Sequence, residues 1–484
     1  MASHLLLLMV FCGVLLGHQA YRPTRVVRLP RSTTTTVHAL TQEVNAWVAA
    51  HGTKESRITV LQADNGSPFF ATAATAVKKG EVLHAVPLGV CMTGTTTGTT
   101  TTITTTVNRL RTGMYGMLAL QLLSEKALGD QSKYAAYVRS LPETPPGMLG
   151  WTNTEVTELL SSTTRNVRAQ LDAVDADWTS VVSALVADEL AWRWAMGHVR
   201  SRALFLDGAP MLVPGLDYIA FDPLSTADPA TDSAGIFGGK VVNVRAERSY
   251  GVGEAVVMSY GLKSSAECLE DHGVVPNLIL EDACCEITCA IDGDEKYPDD
   301  KRDVLERAGY ASGSRRFDLE ADTAAQGGLD PALLQFLRLK LLEGKDCFIL
   351  EACFADTVFY TLGQPFSKQN EVKVFEYLAS FCRSNLERMN AVSTAARDEA
   401  LSADPGSPIP ASPAQCMARL RTQERTVLEA NLKLVQGELA TLASPVDPRE
   451  FYQERRLREL NLLRPLDESE IVTPGERGPL DDNY

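Results

Sequence analysis

The sequence predicts an α+β protein, in which a β-rich domain with a helical insert is followed by an all-helical domain. Short Val-rich runs separated by glycine turns, between residues 58 and 90 and between 204 and 260, are typical of strands. From Met114 to Val199, apolar residues recur at helical spacing. After about residue 280, the i, i+3, i+4 stripe of amphipathic helices dominates.

Length and composition set the broad class. A chain of 484 residues is too long for one hydrophobic core, so two or three structural units are expected. The apolar fraction of 45% and the charged fraction of 22% are ordinary for a soluble globular protein. A net charge of −15 argues against general nucleic-acid binding, which needs a basic surface.

The ten cysteines are irregularly spaced and contain no CxxC pair. Cys284, Cys285 and Cys289 lie close together but have no matching His/Cys set, so we expect no metal site there. Thiols in a reducing compartment are the simpler interpretation.

The first 40 residues have the composition of a targeting segment. The apolar run Leu5–Leu16 is too short to span a bilayer comfortably, and four arginines follow with no acidic residue before Glu43. This order resembles the two-part plastid address of algae with secondary plastids, and predicts the plastid stroma. A plain secretory signal is the alternative, although the absence of a disulfide pattern argues against it.

The β-rich part is predicted in order. A short helix ends at His51, strands follow in "RITVLQ" and "PFFATA", and the turn Lys78–Gly80 indicates a first hairpin. The threonine-rich run 93–106 is interpreted as a solvated loop. A second hairpin is predicted from strand Val241–Arg245, a glycine turn and strand Glu254–Tyr260.

The C-terminal part is predicted to be helical. The longest helix covers Gln415–Leu442, where apolar residues repeat near every seven positions. Packing within the helical domain is the expected role of this stripe, and a coiled-coil dimer is the alternative. The proline-rich stretch 403–413 is a loop or linker, and residues 463–484 form a polar tail.

Common catalytic motifs are missing from the sequence. It contains no GxGxxG, GxxxxGK[ST], HExxH or GxSxG pattern. Three of the seven histidines lie in the targeting segment, which leaves few for catalysis.

Four segments occur in an order that resembles the SET domain of the Rubisco large-subunit lysine methyltransferase family. They are "AVKKGEVLHAVPL", "HVRSRALFL", "LVPGLDYIAF" and "GVGEAVVMSYGLKSSAECLEDHGVVPN". "DKRDVLERAGY", "FILEACFADTVF" and "EFYQERRLREL" are similar to the helical Rubisco-substrate-binding domain of this family. The resemblance implies a SET domain with a knot-like core over residues 41–277, a helical insert at about 110–199, and a substrate-binding domain over 278–462.

The resemblance also implies a reaction. These enzymes transfer a methyl group from S-adenosylmethionine to a lysine amine of a protein, and need no metal. The amine must be neutral, so its pKa of about 10.4 must fall, as desolvation in an apolar channel achieves. The family's substrates make Rubisco large subunit and fructose-bisphosphate aldolase the candidates. We expect no nucleic-acid partner, no membrane association of the mature chain, and a monomer.

The site residues implied by the resemblance match residue by residue. Tyr260, in "SYG", takes the catalytic tyrosine position and also borders the cofactor. Ser201 and Arg202 match positions near the substrate, and Asp217 matches the Asp of the family's "LVPLAD" run.

The cofactor turn departs from the family pattern. Gly66 and Ser67 occupy the turn, but its second glycine is missing and Pro68 lacks an amide donor. Ala220 and Phe221 replace an Asn-His pair beside the cofactor, where backbone contacts remain available because any residue supplies them.

The lysine channel also departs from the pattern. His272 replaces the second tyrosine of the pocket, and Val274 replaces a phenylalanine. Two alternatives to lysine methylation follow from these changes: a catalytically impaired SET-derived binding module, and a methyltransferase for a different side chain.

Overall fold

The protein is described by a computed structural model over fourteen ranges. They are residues 35–53, 56–62, 68–94, 110–186, 188–222, 224–233, 239–276, 283–293, 295–310, 313–321, 324, 328–351, 357–402 and 412–444. Gly66, Ser67, most of the targeting segment, most of the threonine-rich run and the polar tail therefore lie outside the described residues.

Two hydrophobic cores organise the chain, one built mainly from residues 44–275 and one from residues 283–442. The strands of the first unit are β1 (Ile58–Gln62), β2 (Phe69–Ala73), β3 (Val82–Pro87), β4 (Leu204–Leu206), β5 (Ala209–Met211), β6 (Ala220–Phe221), β7 (Ala230–Ser233), β8 (Lys240–Arg245) and β9 (Val257–Met258). Its helices are α1 (Thr35–His51), α2 (Met114–Leu128), α3 (Ala135–Ser140), α4 (Asn153–Ser162), α5 (Val167–Ser180), α6 (Glu189–Arg202) and α7 (Ser265–His272). This mixture is the predicted α+β class.

Strand pairing differs from both predicted hairpins. β3 pairs antiparallel with β8, and β8 also pairs with β7. Val77, before the Lys-Lys-Gly turn, instead forms an isolated bridge with Tyr250. β8 does not pair with β9, which lies parallel to β6. Both hairpin predictions were wrong because the alternation of side chains shows which face a strand buries, not which strand lies beside it.

The helices α2–α7 have clear local causes. Thr152 closes a capping box with Glu155 at the start of α4, so two amide donors that a helix start leaves open are satisfied. α6 buries most of its length, including Trp192, and ends at Arg202. The last helix of the insert therefore places Ser201 and Arg202 next to the β-rich part.

Helix α7 is also well defined at both ends. Ser264 and Glu267 form a capping box at its start, and Gly273 ends it with a left-handed backbone at φ 69°. Its last residue is His272. The capping box and the terminal glycine thus set both ends of α7, and with them the position of the His272 side chain.

The second unit contains helices and one two-stranded sheet. Strands β10 (Cys284–Ala290) and β11 (Ser314–Glu320) pair antiparallel along seven residues. The helices are α8 (Pro298–Arg307), α9 (Pro331–Lys340), α10 (Val358–Thr361), α11 (Lys368–Val392), α12 (Ala395–Ser402) and α13 (Pro413–Ala443). The sheet was not predicted, although "CCEITCA" buries alternate residues, with Cys285, Ile287 and Cys289 inside.

Helix α13 joins the two units. Cys416, Met417 and Leu420 lie in the first core, whereas Val427 and later apolar residues lie in the second. The stripe predicted to pack within the helical domain therefore serves both cores. Within the described ranges, no helix combines the length and apolar character that crossing a bilayer requires.

Polar contacts reinforce this junction. Glu424 on α13 accepts hydrogen bonds from the Thr163 hydroxyl at 2.6 Å and the Thr164 amide at 2.7 Å. Arg388 on α11 donates to the carbonyls of Leu160 and Thr163. The end of α4 is thereby held by two helices of the second unit.

Candidate active site

Two of the predicted site residues, Arg202 and Asp217, form a buried ion pair. Arg202, at the end of α6, contacts Asp217 through Nη1 and Oδ2 at 3.3 Å, and also donates to the Asp217 carbonyl at 3.2 Å. The Tyr137 hydroxyl donates to the same carboxylate at 2.7 Å, and the Gly215 amide donates at 3.1 Å. Burial raises the pKa of Asp217, while Arg202 and these donors oppose that rise. Three distant segments are thus locked together by one carboxylate.

Tyr260 follows β9 and packs, half-buried, against the first core. Burial raises the pKa of its hydroxyl, and the negative charge of Asp217 raises that pKa further. The phenol is therefore protonated at physiological pH, and its hydroxyl can both donate and accept a hydrogen bond.

Three rings surround the end of β9. Phe221 and His272 stack with centroids 4.0 Å apart and planes inclined by 21°. Tyr260 lies edge-on to both, at 5.6 Å from Phe221 and 5.3 Å from His272. We call Phe221, Tyr260 and His272 the ring cluster. The ring cluster thus brings together residues that are up to 51 positions apart in the sequence.

His272 is the polar member of the ring cluster. It is buried, and its Nε2 atom has no hydrogen-bond partner among the residues that the structure describes. Burial lowers the pKa of the imidazole to about 3, and the nearby cation Lys263 acts in the same direction. The ring is therefore neutral at physiological pH.

Ion pairs hold the helix that carries His272. Arg165 binds Glu270 at 2.7 Å, and Arg200 binds Asp271 at 2.7 Å. Lys263 also reaches Asp271, at 3.0 Å. These contacts fix α7 against α6 and the loop after α4. They therefore hold in place the helix that carries the His272 ring.

The backbone at Ala220 and Phe221 offers a place for a cofactor. The Ala220 amide donates to Val256 at 3.2 Å, and the Asp222 amide donates to Met258 at 3.1 Å. Because successive residues of a strand direct their amides and carbonyls to opposite sides, those of Phe221 face away from β9. These backbone groups lie beside the ring cluster and do not depend on the Asn-His side chains that the family pattern has there.

Ser201 is brought close to this region but is turned inward. It is buried, and its hydroxyl donates to the carbonyl of His198, one turn earlier, at 3.2 Å. Adjacent helical residues point about 100° apart, so Ser201 and Arg202 face different neighbours. Of the predicted residues, Arg202 and Asp217 form the buried pair, Phe221, Tyr260 and His272 form the ring cluster, and Ala220 precedes Phe221 on β6.

Tyr137 and Gly147 were missed by sequence analysis. Tyr137 fits the apolar stripe of α3 and gives no separate signal for its hydroxyl, which reaches Asp217. Gly147 lies against α7 with φ 76°, in the "PPG" turn whose glycine was the available signal.

The architecture is that of a SET-domain fold. The same fold occurs in a crystal structure of the SET domain of LSMT bound to lysine and AdoHcy, with a TM-score of 0.71, 24% identity, and coverage of 89% of this chain and 97% of that one. A structure of Rubisco LSMT bound to AdoMet matches with a TM-score of 0.68 and 22% identity, over 88% of this chain and 97% of that one.

Sequence comparisons point to the same class. Residues 292–428 match the family model described as Rubisco LSMT substrate-binding. The chloroplastic Rubisco large subunit N-methyltransferase of Nicotiana tabacum is 27% identical over 368 residues, which is 72% of this chain and 71% of the relative. The chloroplastic fructose-bisphosphate aldolase-lysine N-methyltransferase of Arabidopsis thaliana is 28% identical over 371 residues, 72% of each chain. The chain is thus similar, in sequence and in fold, to SET-domain methyltransferases of the Rubisco LSMT type.

Proposed function

We propose that this protein transfers methyl groups from S-adenosylmethionine to a lysine amine of a plastid protein. The observation that carries the proposal is the position of Tyr260, whose ring contacts Phe221 and His272 and whose protonated hydroxyl is subject to the charges of Asp217 and Arg202. The relatives named above are chloroplastic lysine methyltransferases, which supports both the reaction and the compartment.

The ring cluster suits a neutral amine. A lysine side chain bound against these rings loses water, which disfavours its charged form and lowers its pKa. The Tyr260 hydroxyl accepts a hydrogen bond from the amine and so directs the nitrogen lone pair. Alignment of this kind contributes up to about 7–11 kcal/mol in favourable intramolecular cases.

The cofactor, when bound, supplies an electrophilic methyl group on a sulfonium. The backbone amide and carbonyl of Phe221 would hold it, with the Phe221 ring and Tyr260 at its side. Gly66 and Ser67, at the turn matched by the family pattern, complete the proposed set. The Arg202–Asp217 pair positions the segment 215–221 by fixing Asp217 to α6 and Tyr137.

The second unit is the proposed docking surface for the substrate protein. Its match to the substrate-binding family model supports this role, and α13 connects it to the first core. Binding energy gained there is remote from the reacting atoms and sets specificity for the protein that is held. Rubisco large subunit and fructose-bisphosphate aldolase, the substrates in the names of the relatives, are the first candidates.

The direct test combines labelled S-adenosylmethionine with Rubisco holoenzyme and with purified aldolase. We expect label on lysine of one of them, and a rate at least roughly 100-fold lower for Tyr260→Phe, in line with loss of one preorganised hydrogen bond. Calorimetry should show that the wild-type chain and Tyr260→Phe bind S-adenosylhomocysteine with the same affinity. Cofactor binding without transfer to any plastid protein would instead favour a binding module, and label on another side chain would favour a different nucleophile.

A further inference from the structure

The two strands of the sheet in the second unit differ in what covers their outer edges. On the outer edge of β10, the Glu286 amide donates to the Thr164 hydroxyl of the first unit at 3.0 Å, and the Ala290 carbonyl accepts from Lys340. A strand with an unpaired edge presents amide and carbonyl groups that another extended chain can use. The edge of β10 is therefore partly occupied, and the outer side of β11 is the one left for such pairing.

The hydrogen bonds at the two ends of the sheet show which groups of β11 face β10. The Ala321 amide donates to the Ala283 carbonyl at one end, and the Ile291 amide donates to the Gly313 carbonyl at the other. In an antiparallel pair, bonded and non-bonded positions alternate. The odd-numbered residues of β11 therefore bond to β10, and the even-numbered residues direct their amides and carbonyls outward.

Two of these outward-facing residues are Arg316 and Asp318. Their backbone amides and carbonyls have no hydrogen-bond partner among the residues that the structure describes. At the next outward position, Asn431 on α13 donates to the Glu320 carbonyl at 3.1 Å. We call the backbone groups of Arg316 and Asp318 the open edge, and Asn431 marks where it ends.

A groove of about 320 Å³ follows the open edge. It is lined by all of Arg315–Glu320, together with Leu329, Asp330 and Asn431. Neighbouring residues of a strand point their side chains to opposite faces. A groove that touches every residue of this run therefore lies along the side of the strand, where a further chain would reach the unpaired amides.

The two faces of β11 determine the pattern of side chains that such a chain needs. Phe317 and Leu319 are buried on one face, whereas Arg316 and Asp318 are on the other. An added strand continues this alternation, because residues opposite each other on neighbouring strands share a face. It therefore carries apolar side chains beside the first pair and polar ones beside the second.

The cations of the groove already have partners. Arg316 binds Glu267 at 3.0 Å and Glu286 at 3.5 Å. The guanidinium of Arg315 lies over the Tyr310 ring, 4.7 Å from its centroid. Neither arginine therefore needs an anion from a ligand.

Asp318 is in the opposite situation. Its carboxylate has no hydrogen bond or ion pair within the described ranges, at the centre of the open edge. Burial raises the pKa of Asp318, the Arg316 guanidinium lowers it, and the charge of Glu286 raises it again. A cation on the added chain would stabilise this charge, so the groove favours a basic segment over an acidic one.

We propose that the open edge of β11 binds an extended segment of the substrate protein as an added β-strand, with lysine or arginine beside Asp318 and apolar side chains at alternate positions. This inference rests on the proposed function for the identity of the partner, and specifies where the second unit holds it. Arg316 also binds Glu267 in the first turn of α7, so the held segment lies beside the first unit.

The first test uses a seven-residue peptide of alternating valine and lysine, which matches the length of β11. Fluorescence anisotropy should show that it binds the full-length chain, and that replacing its lysines with glutamates weakens binding by at least roughly 5-fold, the scale of a surface charge pair. Hydrogen exchange of the Arg316 and Asp318 amides should slow by roughly 10-fold or more at saturating peptide. Absence of binding would overturn the inference.

N-methylation of the peptide tests the geometry without altering the protein. An added strand turns only every second amide toward its neighbour. Methylating one alternate set of peptide amides should therefore abolish binding, and methylating the other set should leave the affinity within about twofold. Equal effects of the two sets would contradict strand addition.

Asp318→Pro and Asp318→Ala separate the backbone amide from the carboxylate. The proline removes an amide that points away from β10, so the pairing between the two strands keeps its donors. Asp318→Ala should weaken peptide binding by less than about 5-fold through loss of the charge. Asp318→Pro should weaken it by a further roughly 5-fold or more through loss of a main-chain hydrogen bond. Thermal unfolding and calorimetry with S-adenosylhomocysteine check that each variant is folded.

Steady-state kinetics connect the open edge to the substrate. With Rubisco holoenzyme and aldolase, Asp318→Pro should raise KM for the protein that is methylated by roughly 10-fold, with a smaller change in kcat, because this contact is remote from the reacting atoms. An unchanged KM would overturn the inference and leave the proposed function standing. Peptide binding without any lysine methylation would overturn the proposed function but support strand addition at this edge. A dimer in ultracentrifugation that Asp318→Pro dissociates would assign the edge to a second copy and overturn the choice of partner.

Discussion

Phe221 and His272 stack face to face, with ring centroids 4.0 Å apart. In the family pattern, the position of Phe221 carries His and the position of His272 carries Tyr. An imidazole and a carbocyclic ring have thus exchanged places within one contacting pair. Two departures that lie 51 positions apart in the sequence are therefore in direct contact in the fold.

The exchange predicts coupled mutations. Phe221→His and His272→Tyr should each weaken S-adenosylhomocysteine binding, and the double variant should bind better than the sum of the two losses predicts. A coupling of about 0.5–1.5 kcal/mol is expected for an aromatic pair in contact. Calorimetry on the four proteins measures this energy, and strictly additive losses would show that the rings act independently.

The buried carboxylate of Asp217 should be essential for folding of the site. Asp217→Asn leaves the Arg202 guanidinium buried without its counter-charge and weakens the contact with Tyr137. Breaking a buried pair in this way costs about 3–5 kcal/mol in the free energy of unfolding. Urea denaturation measures the loss.

The matched control is the exposed pair between Asp299 and Arg302, at 2.7 Å on the surface of α8. Asp299→Asn should change the free energy of unfolding by less than about 1 kcal/mol, because solvent screens an exposed pair. Equal losses in the two variants would mean that the Asp217 pair contributes no more than a surface contact.

Gly147 should support the ring cluster through close packing. A Cβ at this position would collide with backbone carbonyl oxygens at the end of α7, including that of Asp271 at 2.7 Å. Gly147→Ala should therefore displace His272, reduce methyl transfer and destabilise the protein by more than the roughly 1–2 kcal/mol that a left-handed backbone costs an L-residue. Activity and thermal unfolding are the readouts.

Gly129 provides the comparison for that variant. It also has a positive φ, 54°, but a Cβ there would meet no atom within 4 Å. Gly129→Ala carries the backbone strain without the collision, so it should retain methyl transfer. If both alanine variants lose activity alike, backbone strain alone explains the effect and close packing is not involved.

Stability should depend on pH through Glu424. Burial raises the pKa of this carboxyl from its ordinary 4.5 to about 7, despite hydrogen bonds from Thr163 and Thr164 and the charge of Arg388. The folded protein therefore holds the proton more tightly than the unfolded chain. Stability contributed by this group is greatest below pH 4.5 and falls as pH rises toward 7, by up to about 3 kcal/mol.

The measurement is the free energy of unfolding at several pH values between 5 and 8, for the wild-type chain and for Glu424→Gln. Removing the titrating group should flatten this part of the profile, whatever the variant's absolute stability. An identical slope in the two proteins would show that the carboxyl is not the source of the dependence.

Short motifs carried the part of the site that was proposed from the sequence, since "SYG" and "DHG" matched Tyr260 and His272 to the family pattern. The capping box and terminal glycine that bound α7 are also local signals, although the helix was not predicted from them. The prediction of β8 was confirmed, since the strand extends over Lys240–Arg245. Such features are set by residues within one or two turns of each other, so they can be recognised in a single sequence.

Features that depend on distant partners were not predictable in this way. The parallel contact between β6 and β9 joins segments about 37 residues apart, and Tyr137 reaches Asp217 across 80 positions. Neither partner carries a local sign of the other. The stack between Phe221 and His272 escaped prediction for the same reason.

Helix α13 has a consequence for how a target lysine is chosen. The helix contains 31 residues, about 46 Å at 1.5 Å per residue, and its first turns bind the carbonyls of Gly273, Val275 and Pro276 just beyond His272. If a substrate protein binds the second unit as proposed, α13 holds it at a fixed distance from the ring cluster. We expect the target lysine to be selected by its distance from the docked surface of the substrate protein, rather than by the residues that flank it in the sequence.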